Sequence, residues 1–255
     1  MMIDFKNTLL LGHRGARHEA PENTLFGFQH AQRLQPYGLS GIECDVQLTH
    51  DGQLIVFHDD TLQRLCRAQA RIDQLNLVEI QRHLPLGHPI ITLDDLLQYL
   101  SAHSSNPLAQ TRGAFSHIEI EIKTHERTNY LKMARALSRY LTDSPRASLP
   151  LVLTSFDTQL LALLQRDTLL SRLPRGLLIR DSHSLMSAPH TALQLGCRRL
   201  GIYYPLLNQT LIRYYHRYGL PVSAWTVNDI AALKQLIHWQ VDTIITDIPS
   251  QLLKP

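Results

Sequence analysis

Short apolar runs of five to seven residues recur along the chain, and longer stretches with helical spacing of apolar positions separate most of them. Runs such as "TLLLG" and "RGLLI" are typical of buried strands, because they are continuous, short and bounded by polar or turn residues. The strand-like runs are residues 8–12, 41–46, 117–123, 150–156, 175–179, 198–204, 221–227 and 243–247.

The stretches between the strands predict helices and, with them, a parallel sheet. Strands that alternate with helices pair in parallel through crossover connections. Eight such strands in a chain of 255 residues match the size of a (β/α)8 barrel, the TIM barrel. We therefore predict one α/β domain over residues 1–255. The predicted helices are residues 25–34, 92–102, 128–141, 157–166, 208–218 and 228–239.

One strand-like run breaks the alternation. "QLIVFH" at 53–58 follows the second strand after only "THDG", which is too short for a parallel crossover. Asp51 and Gly52 form a two-residue hairpin signal, so we predict that 53–58 runs antiparallel to the second strand. Counting back from that turn sets Asp45 opposite His58, and side chains opposite each other share a face of the sheet.

Residues 59–91 fit neither a barrel strand nor a barrel helix. Helical spacing is present only around 73–82. The segment is predicted to be a small insertion after the second strand, over the barrel mouth, where loops carry function.

Composition and charge limit the classes of partner. The net charge is +3, from 25 Lys and Arg against 22 Asp and Glu, and no run of five like charges occurs. This pattern argues against a nucleic-acid tract or a polybasic membrane patch and is compatible with a small anionic substrate. The three cysteines form no CxxC pair, as in proteins of a reducing cytosol. The apolar runs are too short for a signal peptide or a membrane span, so we expect a cytoplasmic protein.

Acidic side chains occur in two of the predicted strands. Successive side chains in a strand point to opposite faces, so Glu43 and Asp45 of "GIECDV" share one face, as do Glu119, Glu121 and Lys123 of "HIEIEIK". Carboxylates that converge inside a barrel repel one another, and a divalent cation relieves that repulsion. An all-oxygen set formed by Glu43, Asp45 and Glu121 suits Mg²⁺ or Ca²⁺ rather than zinc.

Two histidines follow apolar runs that end at the same mouth. His13 and His58 have a side chain whose ordinary pKa is near neutrality, so the pair can supply one general base and one general acid. Arg14 and Lys123 add cationic donors for a phosphate group.

The ordered series "HRG…PENT", "E-x-D", "DG…HD", "E-x-K", "TSFD", "WTVN" and "ITD" runs from about residue 10 to 250 and resembles the glycerophosphodiester phosphodiesterase family. The resemblance implies a TIM barrel with a small insertion, and hydrolysis of glycerophosphodiesters to sn-glycerol 3-phosphate and an alcohol, a reaction of glycerol and lipid metabolism. It implies one divalent cation as cofactor, and it looks closest to the short cytoplasmic bacterial members. Glu119 departs from the family pattern, which often has Asn there, and adds a carboxylate close to the implied metal.

The resemblance also implies a role for each matching residue. The metal ligands are Glu43, Asp45 and Glu121; the acid/base pair is His13 and His58; the phosphate contacts are Arg14 and Lys123; and Trp225 lines the substrate pocket.

We take His13 as the base and His58 as the acid, with water or the glycerol 2-hydroxyl as the nucleophile. A phospholipase-D-like hydrolase of lysophospholipids is the main alternative, since Leu75, Leu77 and Ile80 could line an apolar groove. A non-catalytic barrel that binds phosphoesters is another. A metal-free sugar-phosphate isomerase is disfavoured, because no Gly-rich loop follows the last two strands.

Overall fold

The computed structural model describes residues 3–84, 89–104, 114–141 and 148–253. Within these ranges, eight parallel strands form a closed ring, because the first strand pairs with both the second and the last. This confirms the predicted TIM barrel with its insertion. The strands are β1 (Leu9–Gly12), β2 (Gly41–Leu48), β3 (Leu54–Val56, outside the ring), β4 (His117–Ile122), β5 (Leu151–Ser155), β6 (Arg175–Ile179), β7 (Arg199–Tyr203), β8 (Val222–Trp225) and β9 (Thr243–Thr246).

Helices follow the barrel strands, as predicted, but the sequence pattern does not reveal all of them. The helices α7 and α10 are seven and five residues long, too short to show an apolar repeat of helical period. In the described ranges the helices are α1 (Leu25–Arg33), α2 (Gln63–Cys66), α3 (Leu77–His83), α4 (Leu93–Ser104), α5 (Tyr130–Leu141), α6 (Thr158–Arg166), α7 (Ala188–Gln194), α8 (Gln209–Arg217), α9 (Ile230–His238) and α10 (Pro249–Leu253).

The two strands that carry acidic residues separate apolar from polar side chains by face. Ile42, Cys44 and Val46 of β2 pack into the main buried apolar cluster, and so do the three isoleucines of β4. Burial of aliphatic side chains on this outer face holds the two strands against the surrounding helices. Their other face therefore points into the barrel and carries Glu43, Asp45, Glu119 and Glu121.

The hairpin formed by β2 and β3 is antiparallel, as predicted, but its predicted register is wrong by one residue. Val46 pairs with Val56, and the amide of Phe57 donates to the carbonyl of Asp45 at 3.0 Å. Phe57, not His58, is therefore opposite Asp45.

A three-residue loop, rather than the expected two-residue turn, explains this shift. The amide of Thr49 donates to the carbonyl of Gln53 at 3.0 Å, so these two residues close the hairpin. Gly52 inside the loop has a φ of +84°, a left-handed conformation that glycine adopts without strain.

The insertion has its own small buried cluster, separate from the main one. Phe57, Leu62 and Ile80 are among its members, and Leu75 and Leu77 pack against it. The insertion therefore packs through its own apolar contacts on the β3 side of the barrel. No helix within the described ranges is both long and apolar enough for a membrane span.

Candidate active site

Three of the predicted site residues converge through the pairing of β2 with β4. Asp45 is the direct partner of Glu121 in the sheet register, and Glu43 lies two residues before Asp45 on the same face. One carboxylate oxygen from each of the three side chains lies within 4.8 Å of the other two. The structure thus brings Glu43, Asp45 and Glu121 together as candidate ligands for one cation.

The electrostatics of this carboxylate cluster favour a cation. Burial raises the pKa of Glu43 well above its ordinary value, and the nearby charges of Asp45 and Glu121 raise it further. The pKa of Glu121 is raised by burial and by Asp45. Buried carboxylates at this spacing cost free energy when all are ionised, and a divalent cation with oxygen ligands offsets that cost. The donor set therefore fits Mg²⁺ or Ca²⁺.

Asp45 is held in its ionised form by cationic neighbours. Burial alone would raise its pKa, but the charges of Arg14, Lys123 and His58 outweigh burial and lower the pKa to about 2. Nε of Arg14 lies 3.1 Å from Oδ2 of Asp45. The side-chain amide of Asn23 donates to the same oxygen at 3.0 Å.

The loop after β1 holds Arg14 and Asn23 in these positions. Both residues have left-handed backbone conformations, with φ of 51° and 55°, and the amide of Asn23 donates to the carbonyl of Arg14 at 3.0 Å. The amide of Arg14 donates to Glu43 at 3.1 Å, and its guanidinium donates to Glu22 at 2.9 Å. Thr24, not Asn23, caps α1, since its hydroxyl accepts from the amide of Gly27. The "PENT" segment thus orients Arg14 and Asp45.

His13 follows β1 directly and faces the carboxylate cluster. Its Nδ1 lies 2.6 Å from Oδ1 of Asp247, and its Nε2 lies 3.8 Å from Oε2 of Glu43. Burial is the largest influence on this imidazole and lowers its pKa, with Asp247 acting in the opposite direction. A neutral imidazole that is fixed through Nδ1 can accept a proton at Nε2.

His58 lies just beyond β3, close enough to Asp45 for their charges to interact. The side chain of Gln47 fixes the local backbone by donating to the carbonyls of Phe57 and Asp59, at 2.9 and 2.8 Å. Nδ1 of His58 is 2.6 Å from Oδ1 of Asp59. Burial lowers the pKa of His58, and the charge of Asp45 opposes that change. Each of the two histidines is therefore held by its own carboxylate.

Lys123 follows β4 and contacts the cluster directly. Its Nζ lies 2.8 Å from Oε1 of Glu121 and 3.8 Å from Oδ1 of Asp45. These two charges outweigh burial and raise the pKa of Lys123, so the amine remains protonated.

Trp225 ends β8 and borders a cavity of about 30 Å³ that His13, Glu43 and Glu121 also line. Its ring packs edge-on against Phe156, with the ring centroids 5.6 Å apart. The cavity has a charged wall and an apolar wall, which suits a small molecule that has both polar and hydrocarbon parts.

Arg64 of the insertion is a site residue that the sequence reasoning missed. Its guanidinium donates to both oxygens of Glu22, at 2.8 and 2.7 Å, and to both oxygens of Asp59, at 2.6 and 3.1 Å. It thereby ties the carboxylate that holds His58 to the one that orients Arg14. Arg64 follows Asp59 by five residues, as the spacing "HDD…R" shows, so the contact between these two could be expected from the sequence. The contact with Glu22 depends on the fold.

Glu119 is buried beneath the cluster and belongs to a separate network. Its Oε1 accepts from the hydroxyl of Ser223 at 2.7 Å and lies 3.4 Å from Nη1 of Arg199. His117 contacts the same oxygen at 3.0 Å. Although Glu119 reaches the Trp225 cavity, it is neutralised from below and is not part of the carboxylate cluster.

Several groups of this site lie toward or just beyond the C-terminal end of a barrel strand, where TIM-barrel enzymes carry out catalysis. These groups are His13, Asp45, Glu121, Lys123, Trp225 and Asp247. Buried carboxylates, two oriented histidines and the cationic side chains of Arg14 and Lys123 at the mouth of a barrel are typical of an enzyme that acts on an anionic substrate. Residues 13–251 match the glycerophosphoryl diester phosphodiesterase family. The chain belongs to this enzyme family, which confirms the resemblance inferred from its motifs.

Individual relatives agree with this assignment over most of their length. A glycerophosphodiester phosphodiesterase of Caldanaerobacter subterraneus is 27% identical over 261 residues, covering 96% of each chain. One of Bacillus subtilis is 25% identical, over 94% of this chain and 84% of its own.

Solved structures share the fold. A phosphodiesterase of Oleispira antarctica, determined in complex with the product sn-glycerol-3-phosphate, superposes with a TM-score of 0.80 at 22% identity, over 96% of this chain and 94% of its own. A glycerophosphoryl diester phosphodiesterase described as putative, from Silicibacter pomeroyi, gives a TM-score of 0.78 at 24% identity, over 96% and 92%.

Proposed function

We propose that this chain hydrolyses glycerophosphodiesters to sn-glycerol 3-phosphate and an alcohol, with a divalent cation and two histidines. The observation that carries the proposal is the convergence of Glu43, Asp45 and Glu121 between His13 and His58. Membership of the family and the activity named for its relatives support the same substrate class.

Glu43, Asp45 and Glu121 would hold the cation. When bound, Mg²⁺ or Ca²⁺ supplies positive charge that offsets the negative charge of the phosphodiester as the transition state forms. Lys123 and Arg14 supplement that charge from the protein, and both are fixed in place by carboxylates before substrate arrives. Such preorganised donors stabilise the transition state without further reorganisation.

The two histidines move the protons. Nε2 of His13 takes a proton from the nucleophile, either water or the glycerol 2-hydroxyl, as its oxygen bonds to phosphorus. The bond from phosphorus to the headgroup oxygen breaks, and protonated His58 donates its proton to the departing alkoxide. His13 suits the role of base because it faces the Trp225 cavity, where we place the glycerol moiety. When water is the nucleophile, solvent then exchanges the protons and restores both histidines.

When the 2-hydroxyl is the nucleophile, the first product is a cyclic phosphodiester, and the two histidines exchange roles. His58 takes a proton from water as the water oxygen bonds to phosphorus. His13 returns its proton to the departing 2-oxygen, which gives sn-glycerol 3-phosphate.

The three apolar residues on which the lysophospholipid alternative rested pack within the insertion. Ile80 is fully buried in the cluster of the insertion, and Leu75 and Leu77 pack against that same cluster. These side chains therefore stabilise the insertion and do not form an apolar groove for an acyl chain.

The proposal is tested by measuring alcohol release from three substrates: choline from glycerophosphocholine and from a lysophosphatidylcholine, and ethanolamine from glycerophosphoethanolamine. Release of sn-glycerol 3-phosphate is measured in parallel for the two glycerophosphodiesters. Each reaction is run as purified, after treatment with EDTA, and after addition of Mg²⁺ or Ca²⁺. We expect turnover of the two glycerophosphodiesters, loss of turnover with EDTA and recovery with a cation. Full activity in EDTA would contradict the role of the cation, and preference for the lysophospholipid would contradict the substrate class.

His58→Ala and His13→Ala are the matched variants for the proton transfers, with His238→Ala on α9 as the control. General acid or base catalysis contributes about 10²–10⁴-fold in rate, so either loss is easily measured. Release of sn-glycerol 3-phosphate by His58→Ala at the parental rate would contradict the catalytic role of His58. No release above background by the wild-type protein would favour a barrel that only binds phosphoesters.

A further inference from the structure

A second cavity, of about 200 Å³, opens beside Lys123. It lies between the end of the β2–β3 hairpin, the loop that joins β4 to α5, and the insertion. Its walls are rich in basic side chains, and we refer to it as the basic cavity. The residues that determine its charge are His50, Asp73, Lys123, His125, Arg127 and Lys132.

Asp73 is the single carboxylate among the residues lining this cavity, and its charge is more than compensated. Arg127 lies 3.1 Å from Oδ2 of Asp73, and Arg71 lies 2.9 Å from Oδ1. His125 lies 3.9 Å from Oδ2 of the same carboxylate. Two guanidinium groups thus share one negative charge, and a net positive charge remains.

Lys132 adds a further positive charge at the rim. Its Nζ donates to the carbonyl of His50, and no carboxylate of the described residues lies within ion-pair distance of it. Lys123 contributes on the inner side, next to the carboxylate cluster. The basic cavity therefore has a positive potential, which attracts an anion.

The basic cavity adjoins the carboxylate cluster through Lys123. Lys123 lines it and also contacts Glu121, and Glu121 in turn lines the Trp225 cavity. A phosphodiester has two ester arms. If its phosphate is bound between Lys123 and Glu121, each arm can extend into one of the two cavities. Because His13 borders the Trp225 cavity, the arm that leaves points toward the basic cavity.

We infer that the basic cavity receives the departing alcohol and selects an alcohol that carries a phosphate over a neutral or cationic one. This inference rests on the proposed function and adds to it a preference between substrates. It assigns Arg127 and Lys132 to specificity, because they approach the alcohol and not the phosphorus that reacts.

A matched pair of substrates isolates the added charge: glycerophosphoinositol, and glycerophosphoinositol that carries a phosphate at the 4-position of its ring. Both release sn-glycerol 3-phosphate, so the readout is the same. We expect the wild-type protein to have the higher kcat/KM for the phosphorylated substrate, and to lose that preference at high salt, which screens charges.

Variants of the cavity then test which residues set the ratio of the two kcat/KM values. Arg127→Gln and Lys132→Gln are each expected to lower the ratio about three- to fivefold, as for loss of one solvent-exposed charge contact. Asp73→Asn is expected to raise it. Lys234→Gln is the control, since Lys234 is also an exposed helical lysine but lies on α9, across the barrel from α5.

Different results would overturn the proposed function and the inferred preference for a phosphorylated alcohol. If both substrates are hydrolysed and the ratio stays the same in Arg127→Gln and Lys132→Gln, this inference is overturned while the proposed function stands. If neither substrate nor glycerophosphocholine releases sn-glycerol 3-phosphate, the proposed function is overturned and this inference with it.

Discussion

Nδ1 of His13 lies 2.6 Å from Oδ1 of Asp247, although the two residues are 234 positions apart in the chain. The contact exists because β1 and β9 pair to close the barrel, and the amide of His13 donates to the carbonyl of Thr246 at 2.8 Å. The other oxygen of Asp247 accepts from the side chain of Asn228 at 2.7 Å. Asp247 is thus fixed at both oxygens and holds the ring of His13 with Nε2 toward Glu43.

We therefore predict that Asp247→Asn lowers kcat about 100-fold and changes KM less than about threefold, because the orientation and tautomer of a catalytic base are lost while the substrate contacts remain. Steady-state kinetics of sn-glycerol 3-phosphate release measure both constants. Asp229→Ala is the control: Asp229 caps α9 by accepting from the amide of Ala232, so its loss costs about 1 kcal/mol of stability. A similar fall of kcat in that control would assign the effect of Asp247 to stability alone.

The sequence predicts the barrel and its acidic cluster well, because the barrel follows from the alternation of strands with helices and the cluster follows from the two-residue period of side chains within a strand. In "GIECDV", alternation alone separates Glu43 and Asp45 from Cys44, and the structure buries Cys44 in the apolar cluster outside the barrel. The order of strands and helices then brings neighbouring strand ends together without any long-range information.

Contacts that depend on closure or on one backbone angle cannot be predicted in this way. Asp247 meets His13 only when the last strand pairs with the first, so no local pattern in the sequence indicates this contact. The register of the hairpin depends on Asp51, because a two-residue type I′ turn needs a positive φ at that residue and Asp51 does not have one. Gly52 has a positive φ in a loop of either length. Arg64 reaches Glu22 only after the insertion has packed on the barrel.

Glu22 provides a test of stability against pH. Burial would raise its pKa, but hydrogen bonds from Arg64 and Arg14 and their charges outweigh burial and lower the pKa to about 2 from an ordinary value of 4.5. A carboxyl whose pKa is lower in the folded state stabilises that state above the unfolded pKa, and the contribution is lost as the pH falls through the folded pKa.

We expect Glu22→Gln to lose about 1–3 kcal/mol of unfolding free energy at pH 7, and the difference from wild type to shrink as the pH falls from 4.5 toward 2. Urea unfolding at pH 7 and at pH 3.5 measures it. Glu126→Gln, at an exposed position, is the control and should match wild type at both pH values. A deficit of Glu22→Gln that is equal at both pH values would contradict the ionic origin of its stabilisation.

Repulsion among the three carboxylates predicts that Glu43→Gln melts at a higher temperature than wild type without a cation and at a lower temperature with one. Glu43 is buried beside Asp45 and Glu121, so removing its charge reduces the repulsion and stabilises the metal-free protein. In EDTA we expect Glu43→Gln to melt about 2–4 °C above wild type, corresponding to about 1 kcal/mol for a domain of this size.

With saturating Mg²⁺ or Ca²⁺ the order should reverse, because a cation that binds only the folded state stabilises it by about 2.7 kcal/mol at 100 times its Kd, and the variant lacks one ligand. Thermal unfolding of both proteins in EDTA, in Mg²⁺ and in Ca²⁺ measures the six melting temperatures. A wild-type melting temperature that responds to neither cation would refute the proposed ligand set.

Trp225 offers a direct report on the cavity that we assign to glycerol. The chain has only two tryptophans, and Trp239 lies at the end of α9, so Trp239→Phe leaves Trp225 as the single tryptophan reporter. Titration of this variant with sn-glycerol 3-phosphate and a cation should change its fluorescence saturably, because the ligand would contact the indole.

Trp225→Ala should raise KM about tenfold with little change in kcat, as expected when a contact is equal in the bound and transition states. The matched variant Trp225→Phe retains Trp239 and should show no change of tryptophan fluorescence; a saturable change there would place the ligand elsewhere.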